Sequence, residues 1–251
     1  MKKTILILMA ALSLAFVLPS QKKITIWMCG DSTMSIKETK AYPETGWGMP
    51  FSCFWDTSAV AVVNKAKNGR STRTFISEGI WQSVIDNVQE NDYVFIEFGH
   101  NDESPEKKDR YTTLEQYKIN LQKFINEARD KKAIPVLFTP VSRRKFDSTG
   151  MQVPTHEAYS LLVKAVAEKE KVLFIDMDTQ TQAFYQQLGK EGSANLFLQL
   201  QPGEHPNYPD GKIDNTHFNE YGARLIAQMA FKNIKALNTP LNQHIVTPVT
   251  K

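Results

Sequence analysis

The chain has 251 residues, 41% of them hydrophobic and 23% charged, the balance of a folded globular protein and not of a disordered or fibrous one. That length suits one sizeable α/β domain and is short for two. A formal charge of +3 makes no case for nucleic-acid binding, and two cysteines, Cys29 and Cys53, cannot build a disulfide scaffold.

Residues 1–20 read as a secretory signal peptide. Lys2 and Lys3 form a basic start, Ile5 to Leu18 is an almost unbroken apolar run, and cleavage is expected near Ser20. The run is short for a bilayer span, so no stable membrane anchor is expected. Removing it takes two lysines and lowers the formal charge to +1. The leader implies a secreted or periplasmic protein. Residues 21–251 read as one domain, with 240–251 as a surface tail.

Ile24 to Met28 is β-branched and apolar, a strand by propensity, and it stops at Gly30 before Asp31, Ser32 and Thr33. Pro43, Gly46, Gly48 and Pro50 mark a polar loop, within which the aromatic-rich stretch 47–55 is expected to be helical. Val60 to Ala66 is a second strand, ending at Asn68, Gly69 and Arg70. Ile76, Ile80, Val84 and Val88 recur every fourth residue and predict a helix over 76–88. Tyr93 to Phe98 is a nearly all-apolar third strand, as a strand covered on both faces should be, and it ends at Gly99, His100, Asn101 and Asp102. Thr112 with Glu115 is a capping box for a helix through Arg129. Strands follow at 134–138 and 172–176, separated by a helix at 155–170. A helix at 178–188, an irregular stretch from Gly189 to Asp214 and a helix at 218–236 complete the chain. Strands alternating with long helices predict a parallel sheet between helical layers.

Strand ends and late loops carry polar residues that a packed core does not request. The carboxyl ends of parallel strands share one edge of a sheet, so Ser32, Gly69 and Asn101 can converge there. Acyl transfer needs a hydroxyl nucleophile, a base and donors for an oxyanion. Ser32 supplies the hydroxyl, and His217 has a carboxylate, Asp214, three residues upstream that can orient it. The Ser32 and Gly69 N–H groups and the Asn101 amide are candidate donors. Taken singly, Ser32 is an ordinary helix cap, Asn68-Gly69 an ordinary turn, and Asp214 with His217 a solvated pair. A metal site is the competing use of His100, Asp102, Asp214 and His217, but their spacing matches no common ligand pattern. Joint occurrence at successive strand ends favours catalysis without metal or cofactor.

In these blocks the chain resembles the SGNH hydrolases of the GDSL-like esterase superfamily. Gly30 to Met34 is similar to their first block, Gly69 to the second, Gly99 to Asp102 to the third and Asp214 with His217 to the fifth. The resemblance implies a flavodoxin-like α/β/α sandwich with a five-stranded parallel sheet. It also implies a Ser32–His217–Asp214 esterase with an oxyanion hole from Ser32, Gly69 and Asn101. The wording around the blocks, at 68–75, 139–146 and 214–219, resembles rhamnogalacturonan acetylesterases (carbohydrate esterase family 12). That implies a partner in acetylated plant cell-wall polysaccharide or its oligosaccharides. For such pectic substrates Arg70, Arg73, Arg143, Arg144 and Lys145 are candidate carboxylate partners, with His100 as a further substrate contact, and Trp47 and Tyr208 could stack on sugars. Acetylxylan or general short-chain esterase, lipase or thioesterase, and a non-catalytic carbohydrate-binding protein are the other readings.

Overall fold

The computed structural model of the protein describes residues 22–246. The signal-peptide segment 1–20 and the end of the expected tail lie outside the described residues. Five parallel strands form the central sheet: β1 Ile24–Gly30, β2 Val60–Asn64, β3 Tyr93–Glu97, β4 Ile134–Phe138 and β5 Leu173–Ile175. Their order is β2-β1-β3-β4-β5. Connections therefore depart in opposite directions from β1 and β3, and the crevice at such a reversal is where open α/β sheets hold ligands.

Alternation along the strands assigns the two faces. Ile26 and Met28 point into one core with Phe95, Val136 and Phe138. Trp27 and Cys29 point into the other with Val94, Ile96 and Leu137. The first core is covered by α5 (Met177–Ala194) and α6 (Glu220–Ala236), through Tyr185, Ala223, Ile226, Ala227 and Ala230. The second is covered by the short helices α1 (Thr72–Ser77) and α2 (Ile80–Ile85), with α3 (Leu114–Asp130) and α4 (Glu157–Glu170). The result is the expected three-layer α/β/α sandwich.

Several local expectations need correction. The helix read over 76–88 is interrupted: Gly79, at φ 71°, ends α1 and starts α2. The aromatic stretch from Trp47 forms only a 3-10 helix, Pro50–Phe54, with Pro50 at its start, where the ring has no N–H to bond back to an earlier turn. The cap of α3 is Thr113, whose hydroxyl accepts from Gln116 N. Stretch 189–214 is not irregular throughout: α5 runs on, kinked at Gly189, to Ala194. A separate antiparallel ribbon follows, made by β6 (Phe197–Leu200) and β7 (Lys212–Phe218). The chain after Pro240 begins as a 3-10 turn that buries Leu241 completely, so its first part belongs to the core. Cys29 and Cys53 are both free thiols, one buried and one exposed.

Candidate active site

Gly30 ends β1 where a side chain has no room: a Cβ there would lie 2.8 Å from the Glu97 carbonyl oxygen. The chain then turns through Asp31, Ser32 and Thr33. Asp31 Oδ1 accepts from Thr33 N at 3.0 Å and Thr33 Oγ1 at 2.9 Å, while Oδ2 faces His100 Nδ1 at 3.2 Å. Burial pushes the His100 imidazole down to about 3, so it is neutral at physiological pH and its Nδ1–H donates to Asp31. Burial alone would raise Asp31, but His100 and the Thr33 donors outweigh it and hold this carboxyl well below its ordinary value. Beneath the turn, Glu97 accepts from Trp47 Nε1 at 2.6 Å and Val141 N at 3.2 Å. Burial, with Asp31 nearby, raises Glu97 to about 8.

The turn is also held by a residue that sequence reasoning missed. Lys37 is a buried ammonium that donates to the Ser32 carbonyl, to Asn68 Oδ1 at 2.7 Å and to Glu44 Oε1 at 2.7 Å. Burial lowers its pKa, and Glu44 opposes that shift. Nothing in the surrounding sequence separates Lys37 from the exposed lysines around it.

The imidazole arrives on the ribbon. Ser32 Oγ lies 2.9 Å from His217 Nε2, and His217 Nδ1 lies 2.8 Å from Asp214 Oδ2. Asp214 Oδ1 accepts the backbone N–H groups of Thr216 at 2.7 Å and His217 at 3.0 Å. Burial would raise Asp214, but the His217 imidazole and these donors hold it well below its ordinary value. An ionised carboxylate only accepts, so the proton of a neutral His217 sits on Nδ1 and the Nε2 lone pair faces the serine. The ribbon is docked from several sides. Thr45 N donates to Phe218 O at 2.9 Å. Asn219 caps α6 through Gly222 N at 2.9 Å and ties back to Asn195 O at 2.8 Å and Phe197 O at 3.1 Å.

In the loop after β2, Gly69 has φ 75°, a left-handed conformation that a side chain would strain. Asn101 Nδ2 donates to Arg70 O at 3.0 Å, which brings the loops after β2 and β3 together. Asp102, expected as a possible ligand, instead accepts from Thr72 N at 3.0 Å and from Thr72 Oγ1 at 2.6 Å. Burial raises it to about 7. Among the described residues no three His, Cys, Asp or Glu side chains gather to hold a metal.

The expected substrate contacts are differently placed. Arg70 pairs with Glu78 at 2.8 Å. Arg143 donates to Thr216 Oγ1 at 2.7 Å and to His100 O at 3.2 Å, and it also lines a groove of about 630 Å³ with Glu103, Lys107 and His156. Arg144 donates to Asn215 Oδ1 at 2.7 Å and lies over the Phe146 ring. Arg143 and Arg144 thus brace β7. His100 is enclosed, packed edge-on against His156. Trp47 is fully buried on Glu97 and cannot stack on a sugar, whereas Tyr208 is half-buried and donates to Ala41 O at 2.8 Å.

A hydroxyl, an imidazole and a carboxylate in a row at the carboxyl edge of a doubly wound sheet are the furniture of ester hydrolases. The chain belongs to the GDSL-like Lipase/Acylhydrolase family, whose model matches residues 29–225, and it is an esterase of that family. It is 40% identical over 227 residues to rhamnogalacturonan acetylesterase RhgT of Bacillus subtilis (strain 168), across 90% of this chain and 96% of that one. The crystal structure of Bacillus subtilis YxiM superposes with a TM-score of 0.74 at 25% identity, over 87% of this chain and 58% of that one. Against that solved chain, this one spans somewhat more than half the length. Axe2, an acetylxylan esterase from Geobacillus stearothermophilus, shares the fold at a TM-score of 0.62 and 19% identity, over 84% of this chain and 94% of that one.

Proposed function

We propose that the protein is a secreted carbohydrate esterase that removes O-acetyl groups from pectic polysaccharide of the rhamnogalacturonan type. The observation that carries this reading is the unbroken row from Asp214 through His217 to Ser32, with contacts of 2.8 and 2.9 Å. The identity with RhgT supports the choice of substrate. His217 Nε2 takes the Ser32 proton as Oγ adds to the acetyl carbonyl carbon. The oxygen, now negative, is met by the N–H groups of Ser32 and Gly69 and by the Asn101 amide. The tetrahedral adduct collapses, the C–O bond to the sugar breaks, and His217 returns the proton to the departing sugar oxygen. Water then repeats the sequence on acetyl-Ser32, with His217 as base, and releases acetate. Asp214 keeps Nδ1 protonated throughout. No metal or cofactor enters these steps.

The test measures acetate release from acetylated rhamnogalacturonan, acetylated xylan and p-nitrophenyl acetate side by side, for the wild type and Ser32→Ala. The expected result is fastest release per enzyme from rhamnogalacturonan and loss of nearly all activity in the folded variant. Wild-type rates in Ser32→Ala would remove the mechanism, and faster release from xylan would remove the substrate. Secretion rests on residues 1–20 and predicts a mature N-terminus near Gln21 in the periplasm or medium. A cytoplasmic chain retaining Met1 would refute it.

A further inference from the structure

Arg110 lies in the loop after β3, and its guanidinium reaches both Gly69 and Asn101. Its Nη1 points at Asn101 Oδ1 from 3.4 Å, and a Cβ built on Gly69 would come within 2.9 Å of the same nitrogen. One hydrogen of the Asn101 amide is used on Arg70 O, which leaves the other for an incoming oxyanion. A cation beside an amide oxygen draws electron density from the amide nitrogen and strengthens its N–H as a donor. The contact is long for a hydrogen bond, but a full charge at that range, shielded from water on one side, still acts on the amide dipole.

The second donor is backed in the same way. Arg70 Nη1 donates to the Asn68 carbonyl at 2.9 Å, and that carbonyl shares one peptide unit with the Gly69 N–H. The two arginines differ in how far their charge is answered. Arg70 is clasped by Glu78 through Nε at 3.0 Å and Nη2 at 2.8 Å. Among the described residues, Arg110 has only the exposed Asp109 carboxylate as an ion-pair partner, 3.5 Å from its Nε, and this buried Nε makes no hydrogen bond there. More of the Arg110 field therefore remains for its neighbour.

We infer that Arg110 is a positioning residue of the oxyanion hole, polarising the Asn101 amide, with Arg70 doing the same for the Gly69 N–H. Neither arginine transfers a proton or forms a bond; each raises the affinity of one neutral donor for an oxygen whose charge grows in the transition state. The inference rests on the oxyanion role given to Gly69 and Asn101 in the proposed function.

A double-mutant cycle on the full chain with p-nitrophenyl acetate tests it, since that substrate carries no carboxylate. Arg110→Ala should lower kcat about tenfold with KM changed less than about twofold. In an Asn101→Ala background the same change should cost less than about twofold, because its target has gone. Arg110→Lys, which keeps the charge, should recover part of the loss, and it carries the cycle if Arg110→Ala does not fold. An equal loss in both backgrounds would overturn the inference, as would an unchanged rate on the aryl acetate with a loss confined to uronate-bearing substrates. That last pattern would make Arg110 a carboxylate clamp. Wild-type turnover in Ser32→Ala or Asn101→Ala would instead overturn the esterase mechanism itself, so the two failures are distinguishable.

Discussion

Asp214→Asn probes the proposed catalytic row most sharply. The two carboxylate oxygens have separate tasks: Oδ1 accepts from Thr216 N at 2.7 Å and His217 N at 3.0 Å, and Oδ2 accepts from His217 Nδ1 at 2.8 Å. An amide in that place keeps its oxygen on the two backbone donors, which turns its NH₂ toward Nδ1. Two donors cannot face each other, so the imidazole moves its proton to Nε2 and presents an N–H to Ser32 in place of a lone pair. The proposed base loses its lone pair toward Ser32 while every backbone contact survives. The expected loss in kcat at neutral pH is about 10⁴-fold, or roughly 5.5 kcal/mol of barrier. Stability should fall by only about 1 kcal/mol, a drop in Tm of roughly 2–4 °C for a chain of this size. Steady-state turnover of p-nitrophenyl acetate from pH 5 to 9, with thermal melts of the same preparations, measures both. A variant that keeps more than about one-tenth of wild-type kcat would refute the tautomer argument.

Three further outcomes are expected. Glu97 holds in the folded protein a proton that the unfolded chain releases near 4.5, because burial raises it to about 8. The stability it contributes is therefore complete below pH 4.5 and is lost as pH rises through 8, at up to about 1.4 kcal/mol per pH unit. Asp102, raised to about 7, adds a decline of the same sign. Urea midpoints between pH 5 and 9 should fall less steeply in Glu97→Gln, and identical slopes would show that Glu97 is already ionised. Lys37→Ala removes the ammonium from a buried pair whose lysine side chain is only 2% exposed and strands Glu44, at a cost of roughly 3–5 kcal/mol by chemical denaturation; a change below 1 kcal/mol would contradict the burial argument. Gly222→Ala places a Cβ 2.0 Å from the Leu196 carbonyl oxygen, so α6 must back away from the ribbon. The melt should fall by the equivalent of at least about 2 kcal/mol, and an unshifted melt would refute the contact.

The five-stranded sheet was legible because its central strands β1, β3 and β4 are largely buried on both faces, and such strands spell continuous apolar runs bounded by turn residues. Ser32 was legible because it stands where the first of those runs stops, and Asp214 with His217 because a carboxylate three residues before an imidazole can orient it. The ribbon was not, for a physical reason. Lys212, Ile213, Asp214, Asn215, Thr216 and His217 are at least partly exposed and mostly polar, so β7 lacks the alternation that marks a half-buried strand. Its partner β6 has only four residues. The break at Gly79 was hidden by apolar residues that keep their four-residue recurrence across it, since both short helices bury the same side. Arg110 and Lys37 were invisible for another reason: each folds back on a residue of its own loop, Asn101 or Ser32, with no periodic pattern to mark it, and Lys37 also meets Asn68 from a separate loop.

The ribbon's separateness has a consequence for how this enzyme fails. Ser32 rides at the end of a strand of the central sheet, whereas His217 rides on a two-stranded ribbon clipped in place by arginines, a helix cap and a few main-chain bonds. Heat or mild denaturant that unclips the ribbon would part His217 from Ser32 while the bulk of the chain stays folded. Loss of turnover should then run ahead of loss of circular dichroism, and cross-linking the clip should delay the first without moving the second.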